Sequence, residues 1–511
     1  EDVSVTFHRS GHILGSSFVD LNVEGKRVVF TGDIGRGNHM VLTNPDLIPA
    51  GPISALVTES TYGNRTHPTS DDSLANAINR TIKRHGNILI PAFAVDRTEI
   101  MLMTLKRLIK NKQMPNIPIQ AFDYPLPESK IAQFPLANRH DSKLLVYQDG
   151  QITHAAFRNL AGQLPENSLL IFNNTKVIPA RIPLFKENGV AIELFLLHPL
   201  SDAAPTEQMM EATGESTWEC LVGNKKRWKE GDVLTKGDLS FSWINRELNH
   251  IRISWETDKS FAQVLEEIGK IPLPPYMERE AQVADAERYQ TLFSEKQGAV
   301  AAPTASLHFS EDVLADIDRL GIKKAYLTLH VGAGTFLPVK EEDVSKHPMH
   351  REQIVFTPSL IETLLNHRGP FIPVGTTALR ALESLYWSGV WLVENRPLEN
   401  GLLILPKEFA YERRENTVSI QDSLTAVLGY LQEHDRKYWV AETELLIMPG
   451  YKPRFCDALV TNFHQPKSTL LVLITALIGE DWKKVYDSAL SNEYRFLSYG
   501  DSSLLFKKKD I

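Results

Sequence analysis

The stretch QMPNIPIQAFDYPLPESKIAQFP, residues 113–135, decides how the chain divides. Its prolines are typical of a hinge between two domains, but a true linker joins two finished domains and is usually polar and flexible. Residues up to Pro118 continue the pattern that precedes them, and a different pattern has begun by Phe122. The stretch therefore predicts a boundary within a few residues, which we interpret as a seam that interrupts a domain, produced by gene rearrangement or sequence assembly.

Length and composition favour a multidomain globular protein. The chain has 511 residues, 42% of them apolar and 23% charged, which suits several domains with ordinary cores. The longest apolar runs fall short of the roughly 20 residues that span a membrane, and the start does not read as a secretory signal. Two cysteines suit a reducing compartment. We expect a cytoplasmic protein without membrane segments, and the net charge of −8 restricts any polyanion site to a local patch.

Residues 1–118 predict alternating strands and helices. Residues 17–31 alternate apolar and polar positions around Glu24-Gly25, which predicts a β-hairpin, and helices are predicted within 70–86 and from residue 97 onward. His12 in GHILGS and Asp33 in TGDIGR are residue types that bind Zn²⁺. Each is also typical of an ordinary turn, and the spacing alone favours that interpretation.

Taken together, GHILGSS, TGDIGR, TESTYGNR and PAFAVDRTE resemble the metallo-β-lactamase/β-CASP family of RNA-processing nucleases. The resemblance implies that His12 and Asp33 are zinc ligands, that Glu59 is the acidic residue of the first β-CASP motif, and that Asp96 replaces a usual glycine. The family's His-x-His-x-Asp-His cluster is absent from the sequence. We therefore expect residues 1–118 to be an incomplete α/β fragment whose two remnant ligands do not form a working metal site.

Beyond the boundary, the sequence predicts an α/β body interrupted by a small β-barrel. Residues 119–185 and 271–511 contain buried strands and helices, whereas residues 186–270 show short alternating runs with three tryptophans, Trp218, Trp228 and Trp243. The predicted fold class is thus mixed α/β and α+β, multidomain, with the barrel inserted in the body.

Several polar residues follow apolar segments of the body. Asn173-Asn174 follow one strand, and HVGAGTF (330–336) and PVGTTALRALES (373–384) place glycines after others. The second of these is followed by a helix, which suits an anion at the helix N-terminus; the first is equally typical of a bulge or tight turn. His308, His330 and His464, taken singly, are typical of structural histidines.

As a set, FDYPLPESKIAQFP, FNNTKVIPAR, DAERYQT, AAPTASLHF, TLHVGAGTF, VGTTALRALES, PGYKPRFCDALVTNFHQPKSTL and YRFLSYGD resemble the S-adenosylmethionine:tRNA ribosyltransferase-isomerases of queuosine biosynthesis along residues 120–505. The resemblance implies transfer of the ribosyl group of S-adenosylmethionine to 7-aminomethyl-7-deazaguanine at the wobble position of a tRNA with a GUN-type anticodon. The products are epoxyqueuosine-tRNA, adenine and methionine. It further implies a monomer that requires no metal.

This chemistry needs a general base, a proton donor to adenine, a clamp for the methionine carboxylate and exclusion of water. We predict His308 and His330 for acid–base catalysis. The predicted contacts to S-adenosylmethionine are Gly332, Gly334, Thr335, Gly375, Thr376, Thr377, Arg380 and Glu383; those to the tRNA substrate are Asn173, Asn174, Arg181, Asn462, His464 and Lys467. The alternatives are a zinc-dependent β-CASP RNA nuclease, disfavoured by the missing ligands, and an N-terminal fragment that serves as a non-catalytic RNA-binding appendage.

Overall fold

The chain folds as two units, Glu1–Pro118 and Ile119–Ile511, in a computed structural model. The structure describes residues 2–35, 42–60, 72–83, 88–90, 97–110, 118–200, 204–332, 334, 339–412 and 418–509. The boundary between the units, after Pro118, falls within the stretch 113–135. Asp96 and Thr335, both singled out from the sequence, lie outside the described residues.

The first unit contains a four-stranded sheet, β1 (Val3–Arg9), β2 (Ser17–Val23), β3 (Lys26–Phe30) and β4 (Ala55–Val57), and two helices, α1 (Asp72–Lys83) and α2 (Arg97–Lys110). The predicted hairpin is confirmed: β2 pairs with β3 in antiparallel register. Its turn residues Glu24 and Gly25 have φ of 50° and 80°, the left-handed values that a tight hairpin turn requires. The resemblance of this unit to the β-CASP nucleases remains a prediction.

The strands of the second unit are β5 (Lys143–Gln148), β6 (Gln151–Ala156), β7 (Leu169–Asn173), β8 (Thr175–Val177), β9 (Arg181–Phe185), β10 (Ala191–Pro199), β11 (Glu215–Gly223), β12 (Leu234–Lys236), β13 (Leu239–Asn245), β14 (His250–Ser254), β15 (Lys296–Ala299), β16 (Lys323–Leu329), β17 (Glu352–Phe356), β18 (Phe371–Pro373), β19 (Leu403–Leu405), β20 (Trp439–Thr443), β21 (Ala458–Asn462) and β22 (Ser502–Phe506). Its helices are α3 (Thr206–Met210), α4 (Phe261–Ile268), α5 (Asp285–Arg288), α6 (Glu311–Arg319), α7 (Pro358–Asn366), α8 (Thr376–Val393), α9 (Phe409–Glu412), α10 (Ile420–Glu433), α11 (Thr469–Ile478) and α12 (Asp481–Ser491).

Strands β9 to β14 form a nearly closed barrel-like sheet in the order β12-β13-β14-β11-β10-β9. The two edge strands approach each other, since Lys236 of β12 donates from Nζ to the carbonyl oxygen of Pro183 on β9 at 3.0 Å. Alternate residues point inward, and Trp218 and Trp228 are fully buried in the interior. The sheet begins at Arg181, slightly before the predicted boundary at residue 186.

The body is built on a six-stranded mixed sheet in the order β18-β7-β16-β17-β20-β19, where β18, β7 and β16 run parallel. A second sheet, β21-β22-β5-β6, continues from it through a parallel bridge between Val374 and Val460. All five residues of β7 are buried, as expected for a strand covered on both faces. The carboxyl ends of β18 and β21 thus point to the same edge.

Helices cover the body sheets, and helix α11 is the most apolar. It begins after Ser468, whose hydroxyl caps the N–H of Leu471 at 3.2 Å, and residues 471–478 are all buried. None of the helices in the described ranges combines the length and apolarity needed to cross a membrane.

Candidate functional site

A cleft opens where several strands of the body end. It is lined by the residues that follow four strands: 301–305 after β15, Val331 after β16, 375–377 after β18 and 463–465 after β21. Asn462, at the end of β21 itself, also lines it. It encloses about 720 Å³, open solvent included. Ligands of α/β sheets typically bind outside the carboxyl ends of strands, so this cleft is the candidate site.

The start of helix α8 forms one side of the cleft. Gly375 precedes the helix with φ 95° and ψ 151°, a conformation essentially restricted to glycine, and provides no side-chain cap. The first-turn N–H groups, which have no acceptor within the helix, therefore face a position where an anion is stabilised by them and by the helix dipole. The structure places the predicted residues Gly375, Thr376 and Thr377 in the cleft.

Asn462, at the end of the strand that bridges to β18 just before α8, contributes buried polar atoms to the cleft wall. Its Nδ2 donates to the carbonyl oxygens of Leu497 at 2.9 Å and Ser498 at 3.3 Å, whereas its Oδ1 has no hydrogen-bond partner in the described chain. Leu497, which lines the same wall, has a φ of 69°, uncommon for a leucine. Strained residues of this kind tend to occur at functional sites.

His308 lies behind this wall, at the end of the turn 304–308 whose first residues line the cleft. Its Nδ1 is 2.9 Å from the hydroxyl of Ser142, and its Nε2 is buried without a partner among the described residues. Burial lowers the pKa of His308 to about 4, although the nearby Asn462 side chain opposes this effect. The imidazole is therefore neutral at physiological pH.

His464 lines the cleft and is held by three contacts. Its Nε2 is 3.0 Å from the Thr461 hydroxyl, its backbone N–H donates to the Tyr486 hydroxyl at 3.0 Å, and its carbonyl oxygen accepts from the Tyr124 hydroxyl. Burial lowers the pKa of His464 to about 3. This histidine is thus a neutral hydrogen-bonding group.

His330 sits where the barrel meets the body, adjacent in sequence to the cleft residue Val331. Its Nε2 is 3.3 Å from a carboxylate oxygen of Glu207 on α3, and its Nδ1 is 3.0 Å from the Thr175 hydroxyl. Burial alone would raise the pKa of Glu207, but interaction with His330 lowers it. A Cβ on Gly298 would lie 2.8 Å from the His330 ring, so a glycine is required at that position.

Arg380, Gly332 and Gly334 lie outside this cleft. Arg380 forms an ion pair with Glu352 and donates to the carbonyl oxygens of Leu445 and Thr443 at 2.8 and 2.9 Å. The N–H of Gly332 donates to the same Glu352 carboxylate at 2.9 Å. The Arg380 guanidinium and the Gly332 N–H are therefore already bonded within the protein. Arg380 and Gly334 line a second pocket beside the cleft.

Glu383 is completely buried and is likewise not brought to the cleft. One carboxylate oxygen accepts from the backbone N–H groups of Arg454 and Phe455 at 2.7 and 2.8 Å, and the other accepts from the Tyr451 hydroxyl at 2.7 Å. Burial raises the pKa of Glu383 despite these donors. These contacts indicate a structural carboxylate that anchors the segment 451–455 to α8.

The remaining predicted substrate contacts are also engaged elsewhere. The side chains of Asn173 and Asn174 join β7 to β16, through Leu329 at 2.9 Å and Thr328 at 2.8 Å respectively. Arg181 pairs with Glu193 on the barrel, and Lys467 pairs with Asp123 at 2.7 Å. Only Asn173 approaches the cleft, with its Nδ2 3.5 Å from the Thr377 hydroxyl.

In the first unit, His12 Nε2 lies 3.7 Å from an Asp33 carboxylate oxygen, and both side chains are exposed. Within the described residues, no group of three or more His, Cys, Asp or Glu side chains could hold a metal ion.

Sequence reasoning did not single out several residues of the site. Tyr276 and Ser498 line the cleft, and Glu207 pairs with His330. Tyr276 lies in a Pro-rich loop and Glu207 in a five-residue helix, so no periodicity marks either. Only the tertiary fold places them at the site.

Comparison with known proteins identifies relatives of the second unit. The family model for "Queuosine biosynthesis protein" matches residues 119–505. The S-adenosylmethionine:tRNA ribosyltransferase-isomerase of Halothermothrix orenii is 38% identical over 76% of this chain and 99% of its own length, and that of Polynucleobacter necessarius is 37% identical over 75% and 96%. The crystal structure of an S-adenosylmethionine tRNA ribosyltransferase from Thermotoga maritima is 25% identical, covers 76% of this chain and 100% of its own, and gives a TM-score of 0.37.

Proposed function

The chain belongs to the queuosine biosynthesis protein family, and from this premise we propose that its cleft is the site of an S-adenosylmethionine:tRNA ribosyltransferase-isomerase. The activity is the one that its relatives' names state: S-adenosylmethionine donates its ribosyl group to tRNA in queuosine biosynthesis. The observation that supports placing it in the cleft is an uncapped helix N-terminus beside a buried amide oxygen, that of Asn462, which makes no well-formed hydrogen bond in the described chain.

Helix α8 is suited to hold the methionine end of S-adenosylmethionine. The methionine carboxylate would accept from the first-turn N–H groups, with the Thr377 hydroxyl, steadied by Asn173, beside it. Apolar residues on the cleft wall, Ala301, Ala302 and Val331, would cover the apolar parts of the substrate and exclude water.

Acid–base catalysis would fall to the two histidines next to the cleft. The neutral imidazole of His308 has its Nε2 without a well-formed hydrogen bond in the described chain, so it would be available to accept a proton. His330 is oriented by Glu207, as a general acid or base often is by a carboxylate. The 7-aminomethyl-7-deazaguanine base would enter from the open side, and the tRNA would carry a GUN-type anticodon.

The protein would act as a monomer in the cytoplasm, without a metal ion. Its two cysteines are buried free thiols, which suits a reducing compartment.

The test is a single-turnover assay with S-adenosylmethionine labelled in its adenine and tRNA that carries the precursor base. We expect release of labelled adenine with tRNA that carries the precursor base and none with tRNA that lacks it. Absence of adenine release from folded wild-type protein would refute the activity.

Variants then test the proposed roles. We expect His308→Gln and Glu207→Gln each to slow adenine release by about 100-fold or more, the usual contribution of a general acid or base. Glu211→Gln, an exposed carboxylate just beyond α3, is the matched control for Glu207. A rate for His308→Gln equal to that of the wild type would remove this histidine from the mechanism.

A further inference from the structure

A third pocket, distinct from the one lined by Arg380, adjoins the cleft and is strongly basic. It encloses about 300 Å³, open solvent included, and its lining includes Arg139, Arg288 and Arg495, with His308 beside them. Ser498 lines both this pocket and the cleft, so the two share a wall. We call it the arginine pocket.

Three separate segments supply the arginines. Arg139 begins a short turn, Arg288 ends α5, and Arg495 lies between α12 and β22. Each guanidinium is held by a neutral carbonyl oxygen of another segment: Arg139 by Gln290 at 2.6 Å, Arg288 by Ala137 at 3.1 Å and Arg495 by Phe134 at 3.3 Å. These bonds fix the positions of the guanidinium groups without cancelling their charge.

Within the described part of the chain, none of the three arginines forms an ion pair. Two carboxylates of this region are used otherwise: Asp285 is bound by Arg279 at 2.7 Å, and Asp501 accepts from the backbone N–H groups of Lys143 and Arg495 at 2.8 and 2.7 Å. Glu287 approaches Arg139 without pairing with it. The pocket therefore retains a local excess of positive charge.

Two further observations indicate a missing anion. The Nε of Arg288 is buried and has no acceptor among the described residues, which costs free energy unless a ligand supplies one. Burial, and then the neighbouring charge of Arg288, lower the pKa of Arg139. Like charges held together in this way are stabilised by a bound counter-charge.

We propose that the arginine pocket binds a backbone phosphate of the tRNA beside the nucleotide that enters the cleft. This inference rests on the proposed function, because the cleft must hold a tRNA nucleotide. Such a nucleotide carries a phosphodiester on each side, and guanidinium groups match the geometry of phosphate oxygens. The methionine carboxylate is assigned to a different part of the cleft, the start of α8.

The variant of choice is Arg495→Gln, because Arg495 makes the weakest structural bond of the three. We expect the Kd for tRNA, measured by filter binding without S-adenosylmethionine, to rise by about tenfold. The slope of log affinity against log salt should fall by about 1. The KM for S-adenosylmethionine should stay within about twofold of the wild-type value.

Two variants control for folding and charge. Arg495→Lys keeps the charge and should recover part of the affinity, whereas Arg319→Gln removes an exposed charge on α6, outside both pockets, and should leave the Kd unchanged. If Arg495→Gln lowers the thermal unfolding midpoint, its salt slope still decides, because a purely structural defect would leave that slope equal to that of the wild type.

The proposal is overturned if Arg495→Gln raises only the KM for S-adenosylmethionine, since the pocket would then hold the carboxylate. A second result would also overturn it: inorganic phosphate raises the thermal unfolding midpoint of the wild type but not that of Arg495→Gln, and the two proteins bind tRNA with the same Kd. The pocket would then bind a free anion and not the tRNA. tRNA binding is read without turnover, so wild-type protein that binds tRNA with the expected salt slope but releases no adenine would contradict the proposed function alone.

Discussion

Replacement of Glu383 tests whether this residue stabilises the fold or contacts S-adenosylmethionine. In Glu383→Ala, the Tyr451 hydroxyl and the N–H groups of Arg454 and Phe455 lose their common acceptor while they remain buried. Removing one partner of a buried charged network costs about 3–5 kcal/mol. In Glu383→Gln, the amide oxygen can still accept from both backbone N–H groups, and only the bond from Tyr451 is lost. We expect a cost of about 1–2 kcal/mol for that variant.

Urea unfolding followed by tryptophan fluorescence measures these differences in the second unit alone, because all eight tryptophans lie beyond residue 118. Glu362→Gln on α7, an exposed carboxylate, is the matched control and should unfold as the wild type does. The KM of Glu383→Gln for S-adenosylmethionine should stay within about twofold of the wild type, since the side chain does not reach the cleft. Wild-type stability combined with a raised KM would refute the structural role.

Three further predictions concern stability and substrate binding. Burial lowers the pKa of His464 to about 3, so below about pH 6.5 the unfolded protein binds a proton at this residue that the folded protein does not. The contribution of neutral His464 to the free energy of unfolding is complete above that pH and is lost as the pH falls. Urea unfolding from pH 7 to 4 should therefore show a free energy of unfolding that falls more steeply, by about 1.4 kcal/mol per pH unit, in the wild type than in His464→Gln. Gly375→Ala must adopt φ 95°, at a cost of about 1–3 kcal/mol, and should raise the KM for S-adenosylmethionine in adenine-release assays by about tenfold through displacement of the first turn of α8. Gly429→Ala, in the open middle of α10, should instead stabilise the protein by about 0.5–1 kcal/mol in thermal unfolding without a change in KM.

The parts of the site that sequence predicted are those set by local structure. Gly375-Thr376-Thr377 stand between a strand and a helix, and this order alone brings their backbone to a sheet edge. Glu383, predicted from the same stretch, lies six residues further along α8 than Thr377, about 9 Å down the helix axis. Proximity in sequence therefore did not imply proximity to the ligand.

Residues that interact over long sequence separations were not predictable in the same way. Glu207 belongs to a short helix of the barrel region and meets His330 only because α3 docks on the body through Gln353, which accepts from the N–H of Thr206 at 2.8 Å. The division of the second unit into barrel and body was inferred from strand length and alternation, but such patterns do not specify which loop of one part contacts the other.

Net charge was also a poor guide to where a polyanion would bind. Exposed charges are screened over about 10 Å at ordinary ionic strength, so a phosphate responds to the groups immediately around it and hardly to the total of −8. Arg139, Arg288 and Arg495 lie far apart in the sequence, and no basic run marks them. Other arginines of the second unit form ion pairs that neutralise their charge locally, as Arg279 does with Asp285. Local excess charge therefore depends on which basic residues the fold leaves without an acidic neighbour, a property of tertiary structure that composition does not contain.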